Sequence, residues 1–206
     1  MRWTLTSHDG WAVRKSTSKY NPLMKVRPRH FPSRAVWLPA PAGSGPYRDW
    51  LTDPGSLTQR LRRRSRVFSV TRVTQRWARP QSDEAVLLGL RLRHRALLRE
   101  VCLNCDGTPV VFAHSVLPRQ SLRGPWHAIG KLGARPLGEA LFANPQVVRT
   151  PLTYRKLHPG HLLYQRAVAV MGSMPPKALW ARRSVFTLAR ASILVTEVFL
   201  PGVLAR

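Results

Sequence analysis

Acidic residues, cysteines and long apolar runs are all scarce in this chain of 206 residues. It holds 9 Asp and Glu against 34 Lys and Arg, which gives a formal net charge of +25. Such a balance favours acidic partners: nucleic acid, an anionic membrane surface or anionic small molecules. No apolar run is long enough for a membrane-spanning helix, and the N-terminal residues lack the apolar segment of a signal peptide. The sequence therefore predicts a cytoplasmic protein without a transmembrane segment.

Motifs for metals, nucleophiles and phosphates are missing as well. Cys102 and Cys105 form a C-x-x-C, but no second pair of cysteines or histidines at zinc-finger spacing accompanies it. The motif runs into a D-G turn, whereas a redox C-x-x-C opens a helix. His158 and His161 lack a third ligand, and there is no H-E-x-x-H and no glycine-rich phosphate loop. We expect neither a metal nor a cofactor.

Composition divides the chain into two parts. Residues 1–45 are rich in proline and basic residues and show no sustained apolar period, so we expect a disordered extension. Trp3, Trp11 and Trp37 are unusual for a disordered segment and are candidates to anchor it. Residues 46–206 are long enough to bury one core, and we expect them to form a single domain.

Within that domain, alternating apolar residues predict strands, and turn residues separate them. Two hairpins are expected: A-L-L-R-E-V-C-L-N with V-V-F-A-H-S-V-L-P, and L-W-A-R-R-S-V-F-T-L with S-I-L-V-T-E-V-F-L. A further strand is expected over V-F-S-V-T-R-V-T-Q-R-W, and a weak one around 147–154. Short helices are expected after Ser56, Gly124 and Pro136. Hairpins with short inserted helices indicate an antiparallel sheet in an α+β fold.

Glu197 is the only charged residue between Ala191 and Ala205. On the predicted strand it shares a face with Ile193, Val195 and Phe199. A carboxylate on an apolar face must find a partner or stay neutral, as acids in buried active sites do. The alternative is a glutamate at the strand edge that reaches solvent.

Arg99 is the candidate partner for an anionic ligand. It lies among apolar residues on a predicted central strand, and its guanidinium can bind a carboxylate through two parallel hydrogen bonds. The alternative is that Arg99 pairs with Glu100 or with a surface acid.

Several blocks of the sequence resemble the chorismate pyruvate-lyases of bacterial ubiquinone synthesis. They cover 50–204 and occur in the family's order and spacing. The blocks are D-P-G-S-L-T, F-S-V-T, L-L-R-E-V, C-D-G-T-P, R-G-P-W-H-A-I-G-K-L-G-A-R-P-L-G-E-A-L-F, L-W-A-R-R-S and L-V-T-E-V-F-L-P.

The resemblance implies a single α+β domain with a six-stranded antiparallel sheet and short helices that form flaps over a buried ligand. It implies conversion of chorismate to 4-hydroxybenzoate and pyruvate, the first committed step of ubiquinone synthesis, by a monomer without metal or cofactor. The carboxylate-binding arginine would be Arg99 and the acid Glu197, both catalytic. Main-chain contacts to substrate would come from Leu57 and Leu137.

One departure from the family pattern affects the expected site. Where the family has Gly-Arg on the second strand of the first hairpin, this chain has Ala113-His114. We therefore expect His114 to be a titratable cation that helps to bind the substrate or a secondary ligand.

Two other functions remain as alternatives. A non-catalytic, ligand-sensing domain that binds an aromatic acid could share the fold, although it would need only the arginine and not Glu197. A nucleic-acid-binding protein is suggested by charge alone, since L-R-R-R-S-R at 61–66 is not accompanied by interleaved aromatic residues or a known binding module.

Overall fold

The centre of the fold is a hairpin of two long strands, β2 (Ala96–Cys105) and β3 (Thr108–Pro118). The computed structural model describes residues 36–132 and 135–206, without the side chains of residues 72 and 73. Asp106 and Gly107 connect the strands with φ values of 51° and 77°. Two consecutive residues with positive φ fit the right-handed twist of a hairpin, and this explains the D-G pair.

A β-bulge shifts the register of this hairpin by one residue. Asn104 lies opposite Pro109, whereas Leu103 lies opposite Val111, so Val110 is the extra residue. Beyond the bulge Arg99 pairs with Ser115. Since side chains alternate along a strand, this one-residue shift decides which β3 side chains share a face with Arg99.

Seven strands form one antiparallel sheet in the order β1-β2-β3-β7-β6-β4, and β5 also pairs with β6. The predicted α+β class and both predicted hairpins are confirmed. The sheet has seven strands and not six, because the segment predicted as one weak strand forms two short strands that each pair with β6. The remaining strands are β1 (Phe68–Ala78), β4 (Val148–Arg149), β5 (Thr153–Leu157), β6 (Leu179–Leu188) and β7 (Ala191–Phe199).

Short helices cover both faces of the sheet. The α-helices in the described ranges are α1 (Arg48–Thr52), α2 (Leu57–Arg63), α3 (Ser82–Leu87), α4 (Arg119–Arg123), α5 (Leu137–Ala143) and α6 (Leu162–Val168). Single 3-10 turns are Gly45–Tyr47, His127–Lys131 and Pro201–Ala205. Ser56 caps α2 as predicted, because its side chain accepts a hydrogen bond from the main-chain N–H of Gln59. No helix in this part of the chain is long and apolar enough to cross a bilayer.

The two faces of the sheet carry separate apolar layers. On the front face, Leu51, Leu61 and Leu141 of helices α1, α2 and α5 pack over the sheet. On the back face, Leu163 and Ala167 of α6 pack over residues of β2, β3, β6 and β7. A strand buried on both faces carries apolar side chains at successive positions, and β2 is buried along its whole length.

The domain extends further toward the N-terminus than the predicted boundary between residues 45 and 46. The indole N–H of Trp37 donates a hydrogen bond to Asp83 at 3.1 Å, and the guanidinium of Arg183 lies 4.1 Å from the centre of the Trp37 ring. The main chain of Leu38 exchanges two hydrogen bonds with that of Tyr154, each 2.8 Å long. Residues 36–45 therefore contact the domain. Residues 1–35, with Trp3 and Trp11, lie outside the described residues.

Candidate functional site

A cavity opens on the front face of the sheet, beneath the first residues of α2 and α5. The empty space between its walls measures about 560 Å³, its mouth included. The wall is mostly apolar, with a few polar and charged groups. It is formed by Gly55, Leu57, Thr58, Arg99, Val101, Leu103, Ala113, Ser115, Pro136, Leu137, Gly138, Leu141, Phe142, Arg149, Ser184, Phe186, Val195 and Glu197.

Arg99 lies in this wall, on the central strand β2, and is 1% exposed. One of its terminal nitrogens donates a hydrogen bond to the main-chain oxygen of Arg135 at 2.6 Å. Burial lowers the pKa of the guanidinium, although an arginine keeps its charge in proteins. Pairing with Glu100 does not occur, because successive residues of a strand face opposite sides and Glu100 points to the back. A buried cation therefore faces the cavity.

Glu197 also lies in the wall, and its partner is an arginine that the sequence did not indicate. Nε of Arg182, directly opposite on β6, donates to Oε2 of Glu197 at 2.5 Å. The side chain of Glu197 is 17% exposed and that of Arg182 is 1% exposed. The carboxylate thus forms an ion pair with a buried guanidinium at the cavity wall. Glu197 therefore presents negative charge to the cavity.

Arg182 is itself held in place by main-chain oxygens at the end of α1. Its Nη1 donates to the carbonyl oxygens of Trp50 at 3.0 Å, Leu51 at 3.2 Å and Asp53 at 2.7 Å. These carbonyls belong to the last turn of a helix, where intrahelical donors are lacking. The position of Glu197 is thus coupled to the end of α1 through one rigid guanidinium.

Leu57 and Leu137 are the first residues of α2 and α5, and both line the cavity. The first N–H groups of a helix have no acceptor within the helix, so main-chain donors lie at this end of the cavity. The two helix starts lie close together because Gly138 has no side chain: a Cβ there would be 2.9 Å from Oγ1 of Thr58. Both leucines thus lie in the same cavity wall as Arg99 and Glu197.

Arg149 is a second arginine in the cavity wall, and sequence reasoning missed it. Its Nε donates to the hydroxyl oxygen of Ser184 at 2.8 Å, and its Nη1 donates to the carbonyl oxygen of Pro54 at 2.7 Å. The guanidinium carbon lies 5.1 Å from the ring centre of Phe186. Burial lowers the pKa of Arg149, and the negative charge of Glu197 acts in the opposite direction.

His114 does not line the cavity, so the expectation that it helps to hold substrate is corrected. The bulge at Val110 pairs it with Glu100 and turns it to the back face. There Nδ1 lies 3.0 Å from Glu100 and Nε2 lies 3.2 Å from Glu84 of α3. Arg166 of α6 pairs with the same oxygen of Glu100. We call these four residues the back-face cluster.

The back-face cluster is buried, and its charges depend on one another. Burial alone would lower the pKa of His114, but the hydrogen bonds and charges of Glu100 and Glu84 outweigh it and raise this pKa to about 9. Burial would raise the pKa of Glu100, but His114 and Arg166 outweigh it and lower this pKa. The cluster therefore contains a histidine that is protonated at neutral pH between two carboxylates.

The two cysteines do not form a joint site. Cys105 belongs to the front apolar layer and Cys102 to the back one. Both thiols are free and buried, and burial raises the pKa of Cys102 to about 11. Nowhere in residues 36–132 and 135–206 do three or more His, Cys, Asp or Glu side chains form a group that could hold a metal ion.

Solved structures share the fold of this chain at low sequence identity. The effector domain of PhnF from Mycobacterium smegmatis superposes with a TM-score of 0.53 at 17% identity, covering 72% of this chain and 90% of that domain. A second PhnF structure from the same organism gives 0.55 at 17% identity, covering 73% of this chain and 65% of that one. At this identity the likeness concerns the fold alone.

Sequence comparisons are much closer. The family model of chorismate lyase matches residues 31–206. A probable chorismate pyruvate-lyase of Methylobacillus flagellatus is 49% identical over 171 residues, covering 83% of this chain and 96% of that protein. Another, from Aromatoleum aromaticum, is 50% identical over 185 residues, covering 88% and 98% respectively. The chain belongs to the chorismate lyase family.

Proposed function

We propose that this protein converts chorismate to 4-hydroxybenzoate and pyruvate. Relatives that align over nearly their whole length are named for this activity. The observation that carries the proposal is the joint placement of Arg99 and Glu197 in one largely apolar cavity. The same reaction is the first committed step of ubiquinone synthesis, as the family implies.

The spacing of the two residues suits the ring of chorismate. Arg99 pairs with Ser115, which pairs with Val195 on β7, so Arg99 and Glu197 stand two strands apart. Two strand spacings, together with an offset of two residues along the strands, separate their backbones by roughly 12 Å. Both side chains line the same cavity. The ring carboxylate and the ring hydroxyl of chorismate lie para to one another. Arg99 binds the carboxylate, Glu197 binds the hydroxyl at carbon 4, and the main chain at Leu57 and Leu137 closes over the ring.

The reaction is an elimination that needs no external reagent. The bond from ring carbon 3 to the ether oxygen breaks, and that oxygen leaves with the bonding electrons as the enolate of pyruvate. The hydrogen on carbon 4 leaves as a proton, and the electrons of its bond complete the aromatic ring. The enolate takes up a proton and becomes pyruvate. No atom is oxidised from outside and no water enters, so the chemistry calls for no redox cofactor.

The protein contributes orientation and electrostatics. A dry, shaped cavity holds the conformer in which the leaving oxygen and the departing hydrogen are aligned. Glu197, held in place by Arg182, either takes the proton from carbon 4 or orients the hydroxyl while the proton passes to the leaving group. The helix starts at Leu57 and Leu137 act as flaps that exclude water, and such exclusion strengthens every charge interaction inside.

A ligand-sensing domain is the competing function, because the solved structures with this fold include effector domains. The ion pair between Glu197 and Arg182 argues against it. Binding an aromatic acid requires only a cation for its carboxylate. A second carboxylate in the cavity wall repels an anionic ligand, so its presence is explained best if it acts on a hydroxyl or a proton of that ligand.

The deciding experiment follows purified, EDTA-treated protein incubated with chorismate. We expect equimolar 4-hydroxybenzoate, measured by absorbance, and pyruvate, measured with lactate dehydrogenase. Arg99→Ala should lose about 2–5 kcal/mol of binding, since a buried substrate carboxylate would be left unpaired. Arg91→Ala, an exposed site outside the cavity wall, is the matched control.

Two outcomes would contradict the proposal. Tight binding of 4-hydroxybenzoate with no turnover of chorismate would identify a sensing domain. Activity that disappears with EDTA and returns with Mg²⁺ or Zn²⁺ would show that the reaction depends on a metal.

A further inference from the structure

The cavity carries more positive charge than one carboxylate requires. Arg99, Arg149 and Glu197 line it, and Arg182 is bonded to Glu197. Three guanidinium groups and one carboxylate leave a net charge of +2. The nearby carboxylate of Asp53 is engaged elsewhere, 3.0 Å from Arg60. Within the proposed function, this charge matches a dianion and exceeds what the monoanion 4-hydroxybenzoate needs.

The two cavity arginines lie on opposite sides of Glu197 in the strand order. The strand order runs from β2, which carries Arg99, through β3 and β7 to β6 and β4, which carries Arg149. Glu197 on β7 stands between them. Arg149 pairs with Phe186 of β6, on the side of Glu197 away from Arg99. A ligand whose carboxylate is bound by Arg99 and whose hydroxyl is bound by Glu197 therefore has its hydroxyl end on the side of Arg149.

Arg149 is held in a fixed orientation. Its hydrogen bonds to Ser184 and to the carbonyl oxygen of Pro54 fix the plane of the guanidinium, and the rings of Phe142 and Phe186 lie 5.6 and 5.1 Å from its central carbon. A guanidinium fixed in this way loses little freedom when it binds a carboxylate. The surrounding aromatic rings also reduce screening by water, which strengthens the interaction.

We propose that Arg149 binds the second carboxylate of chorismate, the one on the enolpyruvyl group. This inference rests on the proposed function. The enolpyruvyl group is attached at ring carbon 3, next to the hydroxyl at carbon 4 that Glu197 contacts, so its carboxylate reaches the Arg149 end of the cavity. Chorismate therefore engages both arginines, whereas 4-hydroxybenzoate engages only Arg99.

The assignment gives Arg149 two effects that Arg99 cannot have. It distinguishes substrate from product, because only the substrate has a carboxylate at that end. It also acts on the leaving group: negative charge grows on the departing enolate beside a fixed cation, so the interaction strengthens as the bond to carbon 3 breaks.

The test compares Arg149→Gln with Arg99→Gln in the full-length protein, using chorismate turnover and 4-hydroxybenzoate binding by titration calorimetry. Arg149→Gln should lower kcat/KM for chorismate by about 30-fold or more, the lower bound for leaving a buried charge unpaired. Its affinity for 4-hydroxybenzoate should stay near the wild-type value. Arg99→Gln should weaken both. Arg91→Gln removes the same charge from an exposed site and should change neither.

Each remaining outcome has a definite meaning. A wild-type protein that does not cleave chorismate contradicts the proposed function itself. If the wild type is active, two results for Arg149→Gln would refute the role of Arg149. The variant could cleave chorismate at the wild-type rate, or its affinity for 4-hydroxybenzoate could fall as much as its turnover of chorismate. The latter would identify Arg149 as a support for the cavity wall. If Arg149→Gln does not fold, Arg149→Lys carries the same comparison: a smaller fall confined to chorismate supports the inference, and equal effects on both ligands refute it.

Discussion

The histidine of the back-face cluster makes the stability of this protein depend on pH in a defined direction. His114 is 1% exposed and lies between Glu84 and Glu100, and its pKa is raised to about 9. In the unfolded chain an ordinary histidine has a pKa of about 6.5. The native state therefore retains a proton that the unfolded chain releases between those two values.

The size of the effect follows from the difference between the two pKa values. Each pKa unit corresponds to about 1.4 kcal/mol, so protonation of His114 stabilises the native state by roughly 3 kcal/mol. This stability is fully present below about pH 6.5, declines as the pH rises, and is lost above about pH 9. A loss of this size is a large fraction of the stability of a small domain.

Urea unfolding followed by tryptophan fluorescence between pH 6 and pH 9.5 measures the effect. The free energy of unfolding of the wild type should fall across this range. In His114→Gln the contribution of this histidine is absent. The variant should be less stable at pH 6, where Glu84 loses its ion pair with His114 and Glu100 keeps only Arg166. His158→Gln, at an exposed histidine, should reproduce the wild-type curve. Subtracting the His114→Gln curve from the wild-type curve removes the pH dependence that other groups, including the buried thiols, contribute to the free energy of unfolding.

A parallel decline in the wild type and His114→Gln would refute this account. It would mean that His114 is neutral in the native protein at pH 6 to 7, or that the loss at high pH comes from other residues.

Two further predictions address the cavity and the N-terminal boundary. Glu197→Gln keeps the shape of the side chain but removes its charge. The variant should still bind 4-hydroxybenzoate, while single-turnover cleavage of chorismate should fall about 10²–10⁴-fold. Undiminished cleavage would show that Glu197 takes no part in the mechanism. Deleting residues 1–45 should destabilise the domain by about 2 kcal/mol, because Trp37 and its contact with Arg183 are lost. Deleting residues 1–35 should leave the urea midpoint and turnover unchanged, and equal loss in both truncations would contradict this contrast.

The parts of the fold that could be predicted are those specified by neighbouring residues. Alternating apolar residues on either side of a D-G turn specify the β2–β3 hairpin, and Ser56 followed by leucines specifies α2. The sequence did not predict helices α3 and α6. Their stabilising contacts come from tertiary structure or from capping residues that are uncommon at helix starts. The side chain of His161 caps α6 by accepting from Leu163, and histidine is not among the preferred capping residues.

The cavity residues divide in the same way. Glu197 and Arg99 were predictable as isolated charges on apolar strands. Arg182 and Arg149 were not, since their partners are distant in sequence: Arg182 bonds Glu197 and the carbonyl of Trp50, and Arg149 bonds the carbonyl of Pro54. Arg182 and Arg183 are adjacent in L-W-A-R-R-S. Nothing in the neighbouring residues shows which of the two faces the cavity side of the sheet.

His114 was misplaced because the register of the hairpin cannot be read from its turn. With Cys105 opposite Thr108, an unbroken ladder would place His114 opposite Arg99, facing the cavity. The bulge at Val110 moves it opposite Glu100. Pro109, just before the extra residue, is of a type that strands tolerate at bulges, but it does not show which residue is extra or where the ladder resumes.

The same bulge has a consequence for how the protein selects its native pairing. If β3 slipped by one residue, Glu84 would lose its ion pair with His114 and Glu100 would keep only Arg166. A buried carboxylate that loses a cation is destabilising. Only the bulged register brings the three groups together, and it is also the register that places Ala113 and Ser115, both small, on the cavity side. The charges on one face of the sheet thus discriminate against the competing alignment, and by doing so they preserve the space for a ligand on the other.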